Sequence, residues 1–231
     1  MKPMFWKLGL SMLVICVFLL QGCATTPPNL DLTRSNFEPV KTITVVHQTT
    51  PPLQVYTTSG DILIILGIAC LPCLAVGAVI DSNASSDANR GVPDYGELMQ
   101  NDFVGIAGEA IPGWPPTTAV DAPVKPGYTC KEGSVLVLDI KSLACTHLDN
   151  KGLVCAVDAT MKTSTGQTIF RRHFSYSSKL KQAELLANNH KLLLQEIPIA
   201  AETEANELAQ CLKSSLSTGN QTNAADTAMP K

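Results

Sequence analysis

The clearest alternation of apolar and polar positions lies in the second half of the chain and predicts three antiparallel strands. Every second residue of Leu153–Met161 is apolar or small, which is typical of a strand with one buried face. Similar runs at Ser134–Cys145 and Thr168–Tyr176 flank it, and turn-forming residues at 149–152 and 164–167 separate the three runs. We therefore expect an α+β fold in which helices cover a small antiparallel β-meander sheet.

Two segments with helical spacing are predicted to supply that cover. Asp94 and Glu97 resemble a capping box, so a helix should begin there and end before the IPGWPP sequence at 111–116. A proline-rich loop is expected to follow this sequence. Apolar residues at helix-like intervals predict a second helix over Lys181–Leu216, which Pro198 should kink or divide.

The remaining pattern sets the expected domain limits. Residues 39–216 should form one domain, which includes a β-branched strand at 41–47 and a Ser/Asn/Asp/Gly loop at 82–93. Residues 23–38 are polar, contain prolines and show no period, so they are expected to form a flexible tether. Residues 217–231 lack apolar periodicity and are expected to be a disordered tail.

A central apolar segment stands apart from these elements. Ile62–Ile80 contains no charged residue and is bracketed by Asp61 and Asp81. As a helix it would approach the thickness of a bilayer core, but Pro72 at its centre would bend or split such a helix. The flanks also lack the basic residues that orient membrane spans. Three interpretations stay open: a membrane-embedded or interfacial segment, a buried core element, and an oligomerisation surface.

The N-terminus has the layout of an export signal. Lys2 and Lys7 form a short basic region, and the apolar run Leu8–Leu20 is too short for a comfortable membrane span. The run ends in Leu20-Gln21-Gly22-Cys23, which resembles the lipobox of bacterial prolipoproteins, with an aliphatic residue at −3, a small residue at −1 and cysteine at +1.

This resemblance implies how the protein is anchored. In that family the cysteine thiol, here Cys23, receives a diacylglyceryl group, the signal peptide (here 1–22) is removed, and the new amine is often acylated with palmitate. Several acyl chains give a stable anchor. Ala24 is not aspartate, which in enteric-type lipoproteins implies sorting to the periplasmic face of the outer membrane. The mature part also resembles uncharacterised Gram-negative envelope lipoproteins that have a Gly/Ala-rich apolar stretch after the first strand and an IPGWPP-type turn.

Charge narrows the classes of partner. The chain has 17 basic and 20 acidic residues; without Lys2 and Lys7, 15 basic residues remain and the net charge becomes −5. Nothing in the sequence resembles a basic footprint for nucleic acid. The histidines are not spaced like metal ligands, and the sequence contains no nucleotide-binding motif. We therefore expect no metal and no cofactor, and the sequence identifies no small-molecule substrate.

The cysteines offer two chemical hypotheses. Cys145 and Cys155 flank a predicted hairpin turn and are a candidate disulfide, although both could equally be small buried apolar residues. Cys70 and Cys73 form a C-x-P-C sequence that resembles the redox pair of thioredoxin-like oxidoreductases. Their surroundings are wholly apolar, which raises the pKa of a thiol and keeps it inert, and the βαβ context of that motif is absent.

These observations favour a non-enzymatic protein. We expect a lipid-anchored cell-envelope protein that acts as an interaction or accessory module for other envelope proteins, with the membrane as its first partner. The alternative is a periplasmic thiol-disulfide oxidoreductase that uses Cys70 and Cys73.

Overall fold

The computed structural model of the protein describes residues 28–57, 81–147 and 152–218. Its centre is a six-stranded sheet covered on one face by helices, an α+β arrangement as expected. The named helices are α1 (Arg34–Phe37), α2 (Tyr95–Ala110) and α3 (Gln182–Thr218). The strands are β1 (Ile43–His47), β2 (Gln54–Val55), β3 (Thr117–Ala119), β4 (Ser134–Cys145), β5 (Leu153–Lys162) and β6 (Thr168–Ser177).

The sheet contains both parallel and antiparallel pairs, so the prediction of a purely antiparallel meander was wrong. Strands β4, β5 and β6 are antiparallel neighbours, as the alternation predicted, but β1 and β2 pair with β4 in parallel and β3 pairs with β1 in parallel. A parallel pair needs a long crossover connection, and the chain from β1 to β4 provides one that contains α2. Four of the five residues of β1 are buried, as is typical of a central strand.

Helix α2 begins and ends where the sequence predicted. The side chain of Asp94 accepts hydrogen bonds from the backbone N–H groups of Gly96 and Glu97, which satisfies two donors that a helix start leaves unpaired. Gly96 lets the helix approach β1 closely, because a Cβ there would lie 2.8 Å from the His47 ring. The helix ends at Ile111, and its Met99 and Phe103 are fully buried against the sheet and α3.

Helix α3 is interrupted, but not where the proline predicted. Ala187 has extended dihedrals, and the next three residues, Asn188, Asn189 and His190, have positive φ. Asparagine adopts this left-handed conformation more readily than most residues. Pro198 lies beyond the interruption and within regular helical dihedrals. The break therefore follows local asparagine chemistry, and the long part of α3 lies across the sheet.

Other expectations need correction outside the main elements. The second half of the proposed tether packs on the domain, because Leu32 and Phe37 are buried in the core. Residues 81–88 are helical where a loop was expected, and β3 forms within the proline-rich loop. The apolar segment 62–80 and the predicted tail from residue 219 lie outside the described residues. No helix within the described ranges is long and apolar enough to cross a membrane.

The two faces of the sheet differ in cover. On the covered face, the main core joins the inward residues of all the strands except β3 to α2 and α3. On the opposite face, a small cluster of Val46, Val135 and Val137 lies under the loop around Val124 and Tyr128. The remainder of that face, formed by β5, β6 and the second half of β4, is not covered by any element of the described ranges and is called here the open face.

Candidate functional site

Some of the residues on which the lipid-anchor and redox hypotheses depend are not among those that the structure describes. Cys23, proposed to carry lipid, and the C-x-P-C cysteines Cys70 and Cys73 lie outside the described residues. The lipid anchor and the oxidoreductase alternative therefore stay predictions.

The disulfide predicted between Cys145 and Cys155 is not formed in the structure, where both cysteines are free and buried. Cys155 pairs across the strands with Leu143, and Cys145 pairs with Leu153, so the two thiols are diagonal neighbours. Diagonal positions in an antiparallel pair are about 7–8 Å apart, beyond the usual Cα separation of a disulfide. Burial raises the pKa of the Cys145 thiol to about 12 and that of Cys155 further, which makes both poor nucleophiles.

A fully buried carboxyl lies between α3 and the sheet. Glu204 accepts a hydrogen bond of 2.7 Å from the Tyr95 hydroxyl through Oε2, while Oε1 has no partner among the described residues. Burial raises the pKa of the Glu204 carboxyl to about 7, although the hydrogen bond from Tyr95 opposes this rise. Burial also raises the pKa of Tyr95. The pair joins α2 to α3 inside the core.

A second buried carboxyl, two turns earlier in α3, binds the end of β6. Glu196 Oε1 accepts hydrogen bonds of 2.6 Å from the Tyr176 hydroxyl and from the Ser178 hydroxyl. Burial and this bond to Glu196 raise the pKa of Tyr176. Both glutamates could have been noticed in the sequence, because they fall at helical spacing on the apolar face defined by Leu193 and Leu208.

A buried histidine ties β1 to the start of α2. His47 Nδ1 lies 2.8 Å from Gln100 Oε1, and His47 Nε2 lies 3.8 Å from Asp94 Oδ2. Gln100 in turn donates to the Val120 carbonyl. Asp94 also accepts from the Thr50 hydroxyl at 2.5 Å. These contacts hold the start of α2 in place against β1. Within the described ranges, no group of three or more His, Cys, Asp or Glu side chains could hold a metal ion.

The open face carries a chain of cross-strand charges. Asp139 of β4 lies opposite Asp158 of β5, which lies opposite His173 of β6. Like charges directly opposite destabilise a sheet. Lys141 offsets this repulsion through ion pairs with both aspartates, and His173 Nδ1 lies 2.7 Å from Asp158 Oδ1. The residues that follow along β5 and β6 on this face are uncharged, namely Ala156, Val154, Ser175 and Ser177.

The outer edge of β6 is open along part of its length. Arg171 exchanges two backbone hydrogen bonds with Leu30, of 2.9 and 2.8 Å, and Ser178 N–H bonds inward to the Leu153 carbonyl. In an antiparallel ladder, bonded and non-bonded positions alternate, so the N–H and C=O groups of His173, Ser175 and Ser177 point away from β5. No described residue pairs with them. We call these groups the free edge.

A pocket of about 380 Å³ lies between α1, the IPGWPP turn and the end of α3. Phe37, Ile111 and Leu216 give it apolar walls. Its charged lining residues are Lys213 and the ion pair of Arg34 with Glu38. Sequence patterns could not predict it, because its lining comes from three distant parts of the chain.

Comparisons with known proteins leave the fold family open. Neither a family model nor a curated protein matches the chain. Three solved structures are similar at low identity. An uncharacterised protein is 11% identical with a TM-score of 0.35, over 79% of this chain and 93% of its own. Protein XCC0632 from Xanthomonas campestris, of the DUF330 family, is 10% identical with a TM-score of 0.42, over 86% and 93%. A PelC variant from Paraburkholderia phytofirmans, solved as a dodecamer, is 12% identical with a TM-score of 0.30, over 82% and 93%.

Proposed function

We propose that this protein is a lipid-anchored component of the bacterial cell envelope that acts as a non-enzymatic interaction or accessory module. The observation that carries the proposal is the lipobox-like sequence ending at Cys23, directly behind a basic region and a short apolar run. Lipid on Cys23 would hold the domain at a membrane, and Ala24 favours the periplasmic face of the outer membrane.

The geometry of the domain supports an interaction role. Its buried ionisable side chains bond to one another, as Glu204 does with Tyr95 and Glu196 with Tyr176, and so they brace the helices against the sheet. The open face and the free edge instead present polar groups to the surroundings. A domain with one braced face and one open face suits the binding of another envelope protein.

The anchor is tested by metabolic labelling of the full precursor with palmitate in a Gram-negative host. Cys23→Ala should incorporate no label and stay uncleaved. Cys16→Ala is the matched control, because it removes a cysteine from the apolar run and should leave both labelling and cleavage unchanged. Normal labelling of the Cys23→Ala precursor would overturn the proposal.

Localisation has its own test in the same host. The unaltered protein should sediment with outer-membrane fractions in a density gradient. Ala24→Asp should shift it to the inner membrane, because aspartate at this position retains enteric-type lipoproteins there. Sedimentation of the unaltered protein with inner-membrane fractions would contradict the outer-membrane assignment without affecting the lipid anchor.

The interaction role is tested by photo-cross-linking in intact cells. A photoreactive residue replacing Ala156 on the open face should give adducts with other envelope proteins. The same residue replacing Ser164, an exposed turn position, is the control. Adducts from Ser164 alone, or from neither position, would contradict an interaction role for the open face.

A further inference from the structure

The free edge has both the hydrogen-bond donors and the acceptors that are needed to pair with one more strand. His173, Ser175 and Ser177 alternate along β6, and each presents one N–H donor and one C=O acceptor outward. An extended peptide bound in the antiparallel sense would satisfy all of these groups in the way one strand of a sheet satisfies the next. An ionised phosphodiester could accept from the N–H groups but has no hydrogen to donate to the carbonyls.

This edge lacks the devices that usually protect sheet edges. Natural proteins block exposed edges with short strands, prolines, lysines or bulges. The opposite edge uses two of them, since β3 spans only Thr117–Ala119 and follows Pro115-Pro116. Residues 173–177 contain no proline or lysine, and the bulge between β5 and β6 lies at the far end of β6, near Met161. The serine side chains are short, so a strand can approach them.

The chain itself shows that this edge accepts an antiparallel partner, and also why its own segment stops. Leu30 already pairs with Arg171 in the antiparallel sense. Continuing that register toward the N-terminus would put Pro28 opposite His173. Proline has no N–H to donate, so Pro28 cannot continue the ladder at His173, and no residue of the described ranges pairs with the groups beyond Arg171.

The charge of β6 indicates the kind of segment that fits. Thr168–Lys181 contains no acidic residue. Arg172 is paired with Asp31, and His173 with Asp158. Within the described ranges, Arg171 and Lys179 form no ion pair, and they lie at the two ends of the free edge. A second copy of the free edge, paired antiparallel about Ser175, would set Arg171 against Lys179 of the other copy, just beyond β6. This like-charge pair disfavours self-pairing.

We propose that the free edge of β6 binds an extended, acidic segment of another envelope protein as an added antiparallel strand. This inference rests on the proposed interaction role and names its site and the chemistry of its partner. Backbone hydrogen bonds to His173, Ser175 and Ser177 provide the pairing, and Arg171 and Lys179 favour acidic side chains.

Binding is tested with the full chain, purified in detergent, and a short fluorescent peptide of alternating glutamate and threonine. The control peptide has the same sequence with its backbone N-methylated at alternate residues, which keeps its charge but removes the edge-forming donors. By fluorescence anisotropy, the N-methylated peptide should bind at least about tenfold more weakly, the equivalent of about 1.4 kcal/mol. Equal affinity of the two peptides, or no binding of either, overturns the proposal.

Protein variants test the same contact from the other side. Ser175→Pro removes an outward N–H without removing a bond to β5, and should weaken binding about tenfold. Ser175→Thr keeps the N–H and should bind like the unaltered protein. If Ser175→Pro fails to fold, the peptide comparison alone decides.

Two further outcomes would reassign the edge. Dimerisation of the protein without peptide, abolished by Ser175→Pro in sedimentation, would make a second copy the occupant. Equal competition by phosphatidylglycerol vesicles for the N-methylated and unmodified peptides would reduce the edge to an anion site. Either result overturns the proposal that the edge binds an acidic segment of another envelope protein. None of these measurements depends on palmitate labelling, so failure here leaves the lipid anchor untouched.

Discussion

Successive residues of strand β6 point alternately to the two faces of the sheet, and the two sets of side chains have different surroundings. Phe170, Phe174 and Tyr176 point to the covered face, where they meet the core and Glu196. His173, Ser175 and Ser177 point to the open face and are exposed. The difference shows how one strand separates two tasks: its inward residues stabilise the fold, and its outward residues are free to meet a partner. Substitutions on the two sides should therefore affect different measurements.

The largest expected effect lies on the covered side. Phe170→Ala should lower the free energy of unfolding by about 3–5 kcal/mol, because it leaves a cavity where a fully buried ring packs. Ser175→Ala, on the opposite side of the same strand, should change it by less than about 0.5 kcal/mol. Urea unfolding of the two variants checks the contrast. Similar losses for both would show that the open side is also part of the packed core.

The next effect concerns the buried carboxyl of the covered side. The folded-state pKa of Glu204, about 7, lies above its ordinary value. The folded protein therefore binds the proton more tightly, and this stabilisation is complete below about pH 4.5 and is lost as pH rises to about 7. The loss should be about 3 kcal/mol relative to Glu204→Gln. Urea unfolding across this pH range measures it.

The matched control for this prediction is Glu109→Gln, which changes an exposed glutamate of α2. It should keep the pH dependence of the unaltered protein. A pH profile of Glu204→Gln that runs parallel to the unaltered one would show that Glu204 titrates normally and that its burial costs nothing.

A smaller effect should follow removal of the hydroxyl that binds Glu204. Tyr95→Phe removes the hydrogen bond to Glu204 Oε2, where Oε1 already has no partner among the described residues, and should cost about 1–3 kcal/mol. Because the Tyr95 bond holds the pKa of Glu204 down, the pH at which stability falls should also move upward. Tyr56→Phe, at an exposed tyrosine, should change neither quantity. Unfolding curves at several pH values decide, and an unmoved midpoint would separate Tyr95 from Glu204.

The mildest test leaves the fold intact. Cys145 and Cys155 lie on the covered face as buried thiols with raised pKa values. Iodoacetamide at neutral pH should modify them only after denaturation, whereas the half-buried Cys130 should react sooner. Mass spectrometry of peptides from the unreduced protein reports both reactivity and pairing. A linked Cys145–Cys155 peptide from freshly isolated envelopes would restore the predicted disulfide.

Local patterns predicted the elements better than their arrangement. The alternation in β5 and the cap at Asp94 depend on neighbouring residues, and both are present in the structure. The parallel pairing of β1 with β4 joins residues about ninety positions apart, such as Val45 and Leu136. No local period contains that information.

The candidate site was harder to predict for a similar reason. An edge is defined by the absence of a neighbour, and only the pairing register shows that Ser175 points its N–H outward. The lack of acidic residues over Thr168–Lys181 was the one visible signal. The tether prediction was wrong for its described part, residues 28–38, because Leu32 and Phe37 are isolated apolar residues without a period, although both are buried.

The contact between Leu30 and Arg171 also limits where the domain can work. With Cys23 in the membrane as proposed, seven Cα–Cα steps, through the six residues 24–29, separate the lipid-bearing cysteine from Leu30, which is paired with β6. Even fully extended they reach about 25 Å. The free edge would then stay within a thin layer next to the bilayer. A partner would have to present its acidic segment within that layer. A longer linker between Cys23 and Leu30 would let the domain occupy a larger volume and would lower the effective concentration of the free edge near such a partner.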